Sequence, residues 1–300
     1  MGEFIPLLTT RDWGAEWVEL QKSRRRADSA AFWDKRAETF GDKDAPSPYV
    51  ERFLELAAIR PGETVLDMGC GTGALAVPLG LAGHRVIAAD FSVGMLARSR
   101  ENLAARGVRG VETCLLSWGD SREVWEARGL GAAAVDVALA SRSIATDDMR
   151  ASLLRLTDVA RRRVCVTLAA GPSPRADERV LAAVGLGRLV GRDFLYAFTI
   201  LANEGLRPQV DYIESSRAQT FASREEAYAQ LAAMVDDAAA GRLSEDGRTG
   251  AHARLREWLA GDLVENEDVG KPDRKGIPQG AWRLSEPRKT TWAFIAWDKE

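Results

Sequence analysis

Val65-Leu66-Asp67-Met68-Gly69-Cys70-Gly71-Thr72-Gly73 carries an apolar, strand-like run straight into three alternating glycines. This is how a strand turns sharply into a helix. Glycine accepts positive φ in the turn, and bare backbone lets a ligand lie against it. The helix that follows aims its free N–H groups into the same turn. Working outward, short β-branched runs at 64–68, 85–90, 111–116, 134–140 and 164–169 alternate with helical patterns at 49–59, 74–82, 93–106, 121–128 and 147–160. The alternation predicts an α/β fold, a three-layer, doubly wound and mainly parallel sheet with helices on both faces.

Beyond this core the pattern is less regular. Residues 1–48 form a polar, Trp-containing segment that ends at Pro46-Ser47-Pro48, and we expect it to be helical. The core runs over 49–221, with helices expected at 177–184 and 193–204 and a strand at 209–213. A helical insertion or cap occupies 222–285. Its Ala- and Leu-rich helices at 222–239 and 252–264 are separated by the polar 244–250 and followed by a loop over 265–280. The last core strand falls within 286–300, at 290–297.

Bulk composition limits the function. The chain has 300 residues, enough to bury roughly three quarters of its unfolded surface without a disulfide or metal staple. Lysine and arginine number 41 against 44 acids, a net charge of −3, which argues against a general nucleic-acid binder. Cys70, Cys114 and Cys165 lack zinc spacing and have no nearby histidine, so we expect reduced thiols and no metal. Glu3 and the lack of a basic-then-apolar start argue against a secretory signal, and no run approaches the ~20 apolar residues that span a bilayer. The expectation is a soluble, cytoplasmic protein without membrane partners. Arg24-Arg25-Arg26 reads most simply as a solvated helix face.

The glycine turn alone leaves the ligand open, because Gly69-x-Gly71-x-x-Ala74 also satisfies the dinucleotide fingerprint of an NAD(P)-dependent oxidoreductase. Two acids tilt the choice. Asp67, at the strand end, repels a diphosphate but can accept from an ammonium group. Asp90 ends the next strand, in Val86-Ile87-Ala88-Ala89-Asp90-Phe91-Ser92, where a carboxylate can take both hydroxyls of a ribose.

On these residues the chain resembles the class I (Rossmann-like) S-adenosylmethionine-dependent methyltransferases, over about 50–171. Asp67, Gly69, Cys70, Gly71, Thr72 and Gly73 match the family's glycine-rich motif. Asp90, Phe91, Ser92 and Met95 match its second motif, in which the acid holds the ribose and the next residue lies against adenine. The resemblance implies S-adenosyl-L-methionine as cofactor, S-adenosyl-L-homocysteine as product, and seven strands with the last one antiparallel and inserted near one edge. The third motif departs from the pattern. Where relatives carry an acid, this chain has Ser117-Trp118, then Asp120. Trp118 either stacks on adenine or packs the next helix.

Ligands of such sheets bind beyond the carboxyl ends of the strands. Ser141-Arg142-Ser143 ends the fourth strand and lacks the Asn/Asp-Pro-Pro-Tyr/Phe of base amine methylation, so we expect a small-molecule acceptor. Arg142 either meets an anionic substrate group or forms an ion pair with Asp67 or Asp120. Tyr196 either lines the pocket or packs with a satisfied hydroxyl. Trp33 and Arg36, in a Trp-x-x-x-Ala segment, either fold over the cofactor as a lid or pack at a sheet edge. Neither His84 nor His252 is placed as a general base. Tyr228, Met234 and Trp258 of the insertion either cap the acceptor pocket or form a homodimer contact. A catalytically silent S-adenosylmethionine-binding protein is the other alternative.

Overall fold

The computed structural model describes all residues except 1–6, 25–28, 38–46, 172, 173, 175, 188–191, 274, 275 and 300. Helices α1 (Leu7–Thr10), α2 (Trp13–Arg24) and α3 (Ala30–Ala37) precede the core. The core begins with α4 (Pro48–Ala57), β1 (Thr64–Met68), α5 (Ala76–Leu81), β2 (Arg85–Asp90), α6 (Val93–Ala105) and β3 (Val111–Leu115). It continues through α7 (Arg122–Ala127), β4 (Val135–Ser141), α8 (Met149–Val159), β5 (Ala160–Ala169), α9 (Glu178–Ala183), α10 (Asp193–Asn203) and β6 (Gln209–Arg217). A cap follows, made of β7 (Thr220–Phe221), α11 (Arg224–Ala239), α12 (Glu245–Asp262), β8 (Leu263–Glu265) and β9 (Trp282–Leu284), before β10 (Arg288–Asp298) closes the chain.

The main sheet has seven strands in the order β3-β2-β1-β4-β5-β10-β6. The first five pair in parallel, whereas β10 is antiparallel to both β5 and β6. The expected fold class, with a reversed last strand near one edge, is therefore what the chain forms. One sheet face packs on α4, α5 and α6 through residues such as Phe53, Leu79 and Leu96. The other packs on α2, α7, α8 and α10 through Trp17, Trp125, Leu153 and Ala197. Burying both faces explains why β1 and β4 read as continuous apolar runs.

Several boundaries differ from the sequence pattern, each for a physical reason. Strand β5 starts at Ala160, four residues before the expected 164, because Arg161, Arg162 and Arg163 find Asp136, Glu63 and Asp298 at the sheet's amino edge. Helix α12 starts at Glu245, inside the polar segment expected to be a separator. Ser244 caps it by accepting from Gly247 N at 3.2 Å, and Glu245 and Asp246 favour its positive end. Strands β7, β8 and β9 form a second small sheet, each too short to show alternation. The cap has its own core, in which Val180 and Leu181 of α9 join Leu231, Val235, Leu255 and Leu259. It thus recruits chain from before residue 222.

Phe53, fully buried, meets Phe294 edge to face at 5.2 Å, joining α4 to β10. Phe53→Ala should cost ~3–5 kcal/mol in denaturant unfolding, as for other buried aromatic truncations. A loss below 1 kcal/mol would show that α4 does not hold this face.

Candidate active site

The glycine turn leaves β1 at the carboxyl edge of the sheet. Gly69, Gly71 and Gly73 all have positive φ, at 75°, 54° and 90°. At Gly69 the close approach is as strict as the dihedral, since a Cβ there would lie 2.3 Å from Ser143 Cβ. Ser143 in turn donates to Met68 O at 2.6 Å, locking the end of β4 against the turn. Gly69 N and Cys70 N donate to Ala89 O at 2.7 and 2.9 Å, which ties the turn to β2. Thr72 is buried, and its carbonyl accepts from Asn102 Nδ2.

Two carboxylates share this turn. Asp90 accepts from Gly71 N and Ser92 N, each at 2.9 Å, one on each oxygen. Asp67 is 1% exposed and takes a backbone hydrogen bond from Ala76, the first residue of α5, yet its Oδ2 is buried with no partner. Burial, followed by the nearby charge of Asp90, pushes the Asp67 carboxyl up to about 7. Burial likewise raises Asp90, although its backbone donors oppose the shift. An orphaned acceptor beside a second carboxylate suits a cationic donor. The helix end that would hold a diphosphate is already taken by Asp67 itself.

Beyond β2, Ser92 caps α6 by accepting from Met95 N at 3.1 Å, while Phe91 is half-buried beside it. Helix α3 docks here. Asp34 accepts from Ser92 Oγ at 2.6 Å and from Gly94 N at 2.9 Å, and these bonds hold its carboxyl below the ordinary range. The fit is close, because a Cβ on Gly94 would lie 2.9 Å from Asp34 Cα. Trp33, half-buried, and Arg36 are neighbours on this helix, with the guanidinium 5.9 Å from the indole centroid. The N-terminal segment therefore sits at the mouth of β2. Asp34 gave no sequence signal, since its partners are 58 and 60 residues away.

The third-motif turn closes on itself. Ser117 N donates to Asp120 Oδ2, Ser117 Oγ accepts from Gly119 N, and Ser117 O accepts from Trp125 Nε1. Trp118 is half-buried, 6.1 Å from Trp125, so it does pack on α7.

At the end of β4, Ser141 Oγ and Thr167 Oγ1 both lie 2.8 Å from the hydroxyl of buried Tyr49. Arg142 adopts φ 60°, a left-handed conformation rare for a side-chain-bearing residue, and its N–H donates to Thr167 Oγ1. The expected ion pair with Asp67 or Asp120 does not form. The exposed guanidinium lies 4.3 Å from the Tyr49 ring centroid and 5.5 Å from that of Trp292. An aromatic face orients the cation without neutralising it. Tyr49, Thr167 and Trp292 escaped sequence reading because they come from α4, β5 and β10, which only the fold brings together.

Other expectations fall elsewhere. The Tyr196 hydroxyl donates to Glu16 Oε1 at 2.7 Å and its ring packs on Trp17 and Trp13, so it fastens α10 to α2; burial pushes its hydroxyl up to about 12. Arg24 is exposed, as a solvated face requires, and also forms a two-point pair with Asp193 at 2.7 and 2.9 Å; Arg25 and Arg26 lie outside the described residues. His84 Nδ1 lies 3.1 Å from Glu63 O, before β2 begins. His252 is bonded to Asp236 and Tyr228 within the cap. Tyr228, Met234 and Trp258 are partly buried against the cap core.

Residues 65–162 match the family model for a methyltransferase domain. The chain is a class I S-adenosylmethionine-dependent methyltransferase. This methyltransferase is 31% identical over 268 residues to an uncharacterised protein of Haemophilus influenzae, covering 89% of this chain and 88% of that one, and belongs to the same family. A release factor glutamine methyltransferase of Cereibacter sphaeroides is 42% identical, but over 91 residues, 29% of this chain and 32% of that one. Among solved structures, a candidate methyltransferase of Bacillus halodurans has the same fold, with a TM-score of 0.51 at 11% identity, covering 83% of this chain and 98% of that one. No helix among the described residues is long and apolar enough to cross a membrane.

The linkage sign of Asp67 is testable. Its folded value, about 7, exceeds the ordinary 3.8, so its contribution to stability is complete below the ordinary value and is lost as pH rises through about 7. Asp67→Asn should therefore melt above the parent at about pH 8, with the gap closing toward about pH 4. A gap independent of pH would place the strain elsewhere.

Proposed function

We propose that this enzyme transfers the methyl group of S-adenosylmethionine to a small-molecule acceptor by in-line displacement, with positioning as the main source of rate. The observation that carries the cofactor assignment is the orphaned Oδ2 of Asp67 beside three positive-φ glycines, a cradle for a cationic amino-acid tail. S-adenosylmethionine supplies a methyl carbon activated by its sulfonium, and an acceptor lone pair displaces the thioether sulfur.

The protein's own groups bind and orient. Asp67 accepts from the ammonium and loses its desolvation penalty as the positive charge arrives. Asp90 keeps the turn in shape with one set of lone pairs and takes the ribose hydroxyls with the rest. Gly69, Cys70, Gly71, Thr72 and Gly73 allow close backbone approach. Phe91 and Met95 line the adenine side, with Ser117 and Trp118 opposite. Ser141 closes the sulfonium end, and Trp33 and Arg36 of α3 cover the cofactor from the mouth of β2. Arg142 faces the acceptor. The two histidines are engaged away from the glycine turn, and alignment of reactants by itself is worth ~7–11 kcal/mol. The relatives matched over a third of their length or less share only a short stretch with this chain, so their substrates do not carry over.

Calorimetric titration tests the assignment. S-adenosylhomocysteine should bind and NAD should not, and Asp90→Ala should weaken binding by on the order of 10–100-fold, as expected for losing paired charge-assisted contacts. NAD binding without S-adenosylhomocysteine binding would overturn it. Removing residues 1–40 should also weaken S-adenosylhomocysteine binding several-fold; equal affinity would leave α3 a packing role only.

A further inference from the structure

The sheet face that carries Tyr49 changes character toward its carboxyl edge. On β10 and β6, Trp292 pairs with Ile213, and both lie in the apolar cluster with Tyr49 and Phe53. Side chains alternate along a strand, so residues 290 and 288 share the face of Trp292, and residues 215 and 217 that of Ile213. Trp292 Nε1 donates to Ser215 Oγ at 3.1 Å, and Ser215 Oγ donates to Thr290 O. The face therefore runs from aromatic to hydroxyl to guanidinium, where Arg288 stands opposite Arg217 in register.

Like charges directly opposite each other on adjacent strands are destabilising. Relief of this pair is only partial: among the described residues the charge of Asp177 favours the Arg288 guanidinium. Arg288 is half-buried, Arg217 is exposed, and neither forms an ion pair. Of the acids at the seam between sheet and cap, Asp177 is committed to Arg179, while Asp262 accepts from Ser285 Oγ and keeps a buried Oδ2 without a hydrogen-bond partner. Asp177 holds Arg179 at two points and caps α9, while Asp262 and Glu286 also bear on that guanidinium. Burial first, then the charge of Arg217, pushes the Arg288 guanidinium below its ordinary value; Asp177 opposes the shift and Arg179 adds to it. Because β10 runs antiparallel, Arg288 lies at the carboxyl edge of the parallel strands, about 13 Å along the strand from Trp292. Trp292 is itself under the guanidinium of Arg142.

We propose that Arg288 and Arg217 form an anion-binding subsite for the methyl acceptor, which therefore carries a phosphate or carboxylate group. The subsite rests on the methyl-transfer reading only in assigning the anion to the acceptor. Its place is the seam between the sheet edge and the cap, with the anion held between two guanidiniums and the rest of the acceptor extending along Thr290 and Trp292 toward Arg142. An anion there converts a repulsive cross-strand pair into two charge-assisted contacts.

Calorimetry with inorganic phosphate and with succinate, at ionic strength fixed with sodium chloride, tests the subsite with and without S-adenosylhomocysteine. At least one of the two anions should bind saturably, phosphate marking a phosphorylated acceptor and succinate a carboxylic one. Arg288→Gln and Arg217→Gln should each weaken that binding about ten-fold or more, the loss of one charge-assisted contact. S-adenosylhomocysteine affinity should stay the same in both variants. In sodium chloride buffer free of phosphate and carboxylates, Arg288→Gln should melt at or above the parent, since a like-charge contact disappears. The subsite is overturned if neither anion binds saturably, if Arg288→Gln binds it as well as the parent, or if Arg288→Gln melts lower without phosphate or carboxylate. Failure of S-adenosylhomocysteine to bind the parent would strike the methyl-transfer reading instead, with the anion result still readable from the cofactor-free titration.

Discussion

Two carboxylates buried in one turn are the constraint around which this molecule is arranged. Asp67 and Asp90 end adjacent strands, and each is desolvated by the packing that makes the sheet. Their mutual repulsion is tolerated because backbone N–H groups of the turn and of the first residue of α5 point at them. The glycines at 69, 71 and 73 follow from this need, since only a backbone free to take positive φ can turn that sharply between β1 and α5. The same strain sets the charge the turn tolerates. A cation relieves it and an anion worsens it.

The elements around the turn complete a site open on one side. Asp34 anchors α3 to the start of α6, so α3 lies at the carboxyl end of β2. On the opposite side, Tyr49 joins β4 to β5 through its hydroxyl and carries Arg142 on its ring. Ser143 then presses the Arg142 loop against Gly69. The glycine turn and the Arg142 loop are thus coupled by direct packing. The cap, with a core of its own, meets this edge through Asp177, Arg179 and Arg288.

Much of this was legible in the chain itself. The runs at 64–68 and 85–90 coincide with β1 and β2 because strands buried on both faces must be apolar throughout. Asp67 and Asp90 stood out because an acid at the end of such a run is costly unless something uses it. Charged or short segments misled for the converse reason. Arg161 to Arg163 looked unlike a strand because their acidic partners are remote in sequence, and β7, β8 and β9 are too short to carry a period.

Local sequence determined the order of strands and helices, the glycine turn and the two acids at its mouth, because periodicity, turn dihedrals and the cost of a buried charge act within a few residues. Tertiary structure decided what those acids face, which ring lies beneath Arg142, where Asp34 docks and why Arg217 meets Arg288. Those contacts join residues far apart in the chain, and they exist only once a reversed β10 has been slotted between β5 and β6.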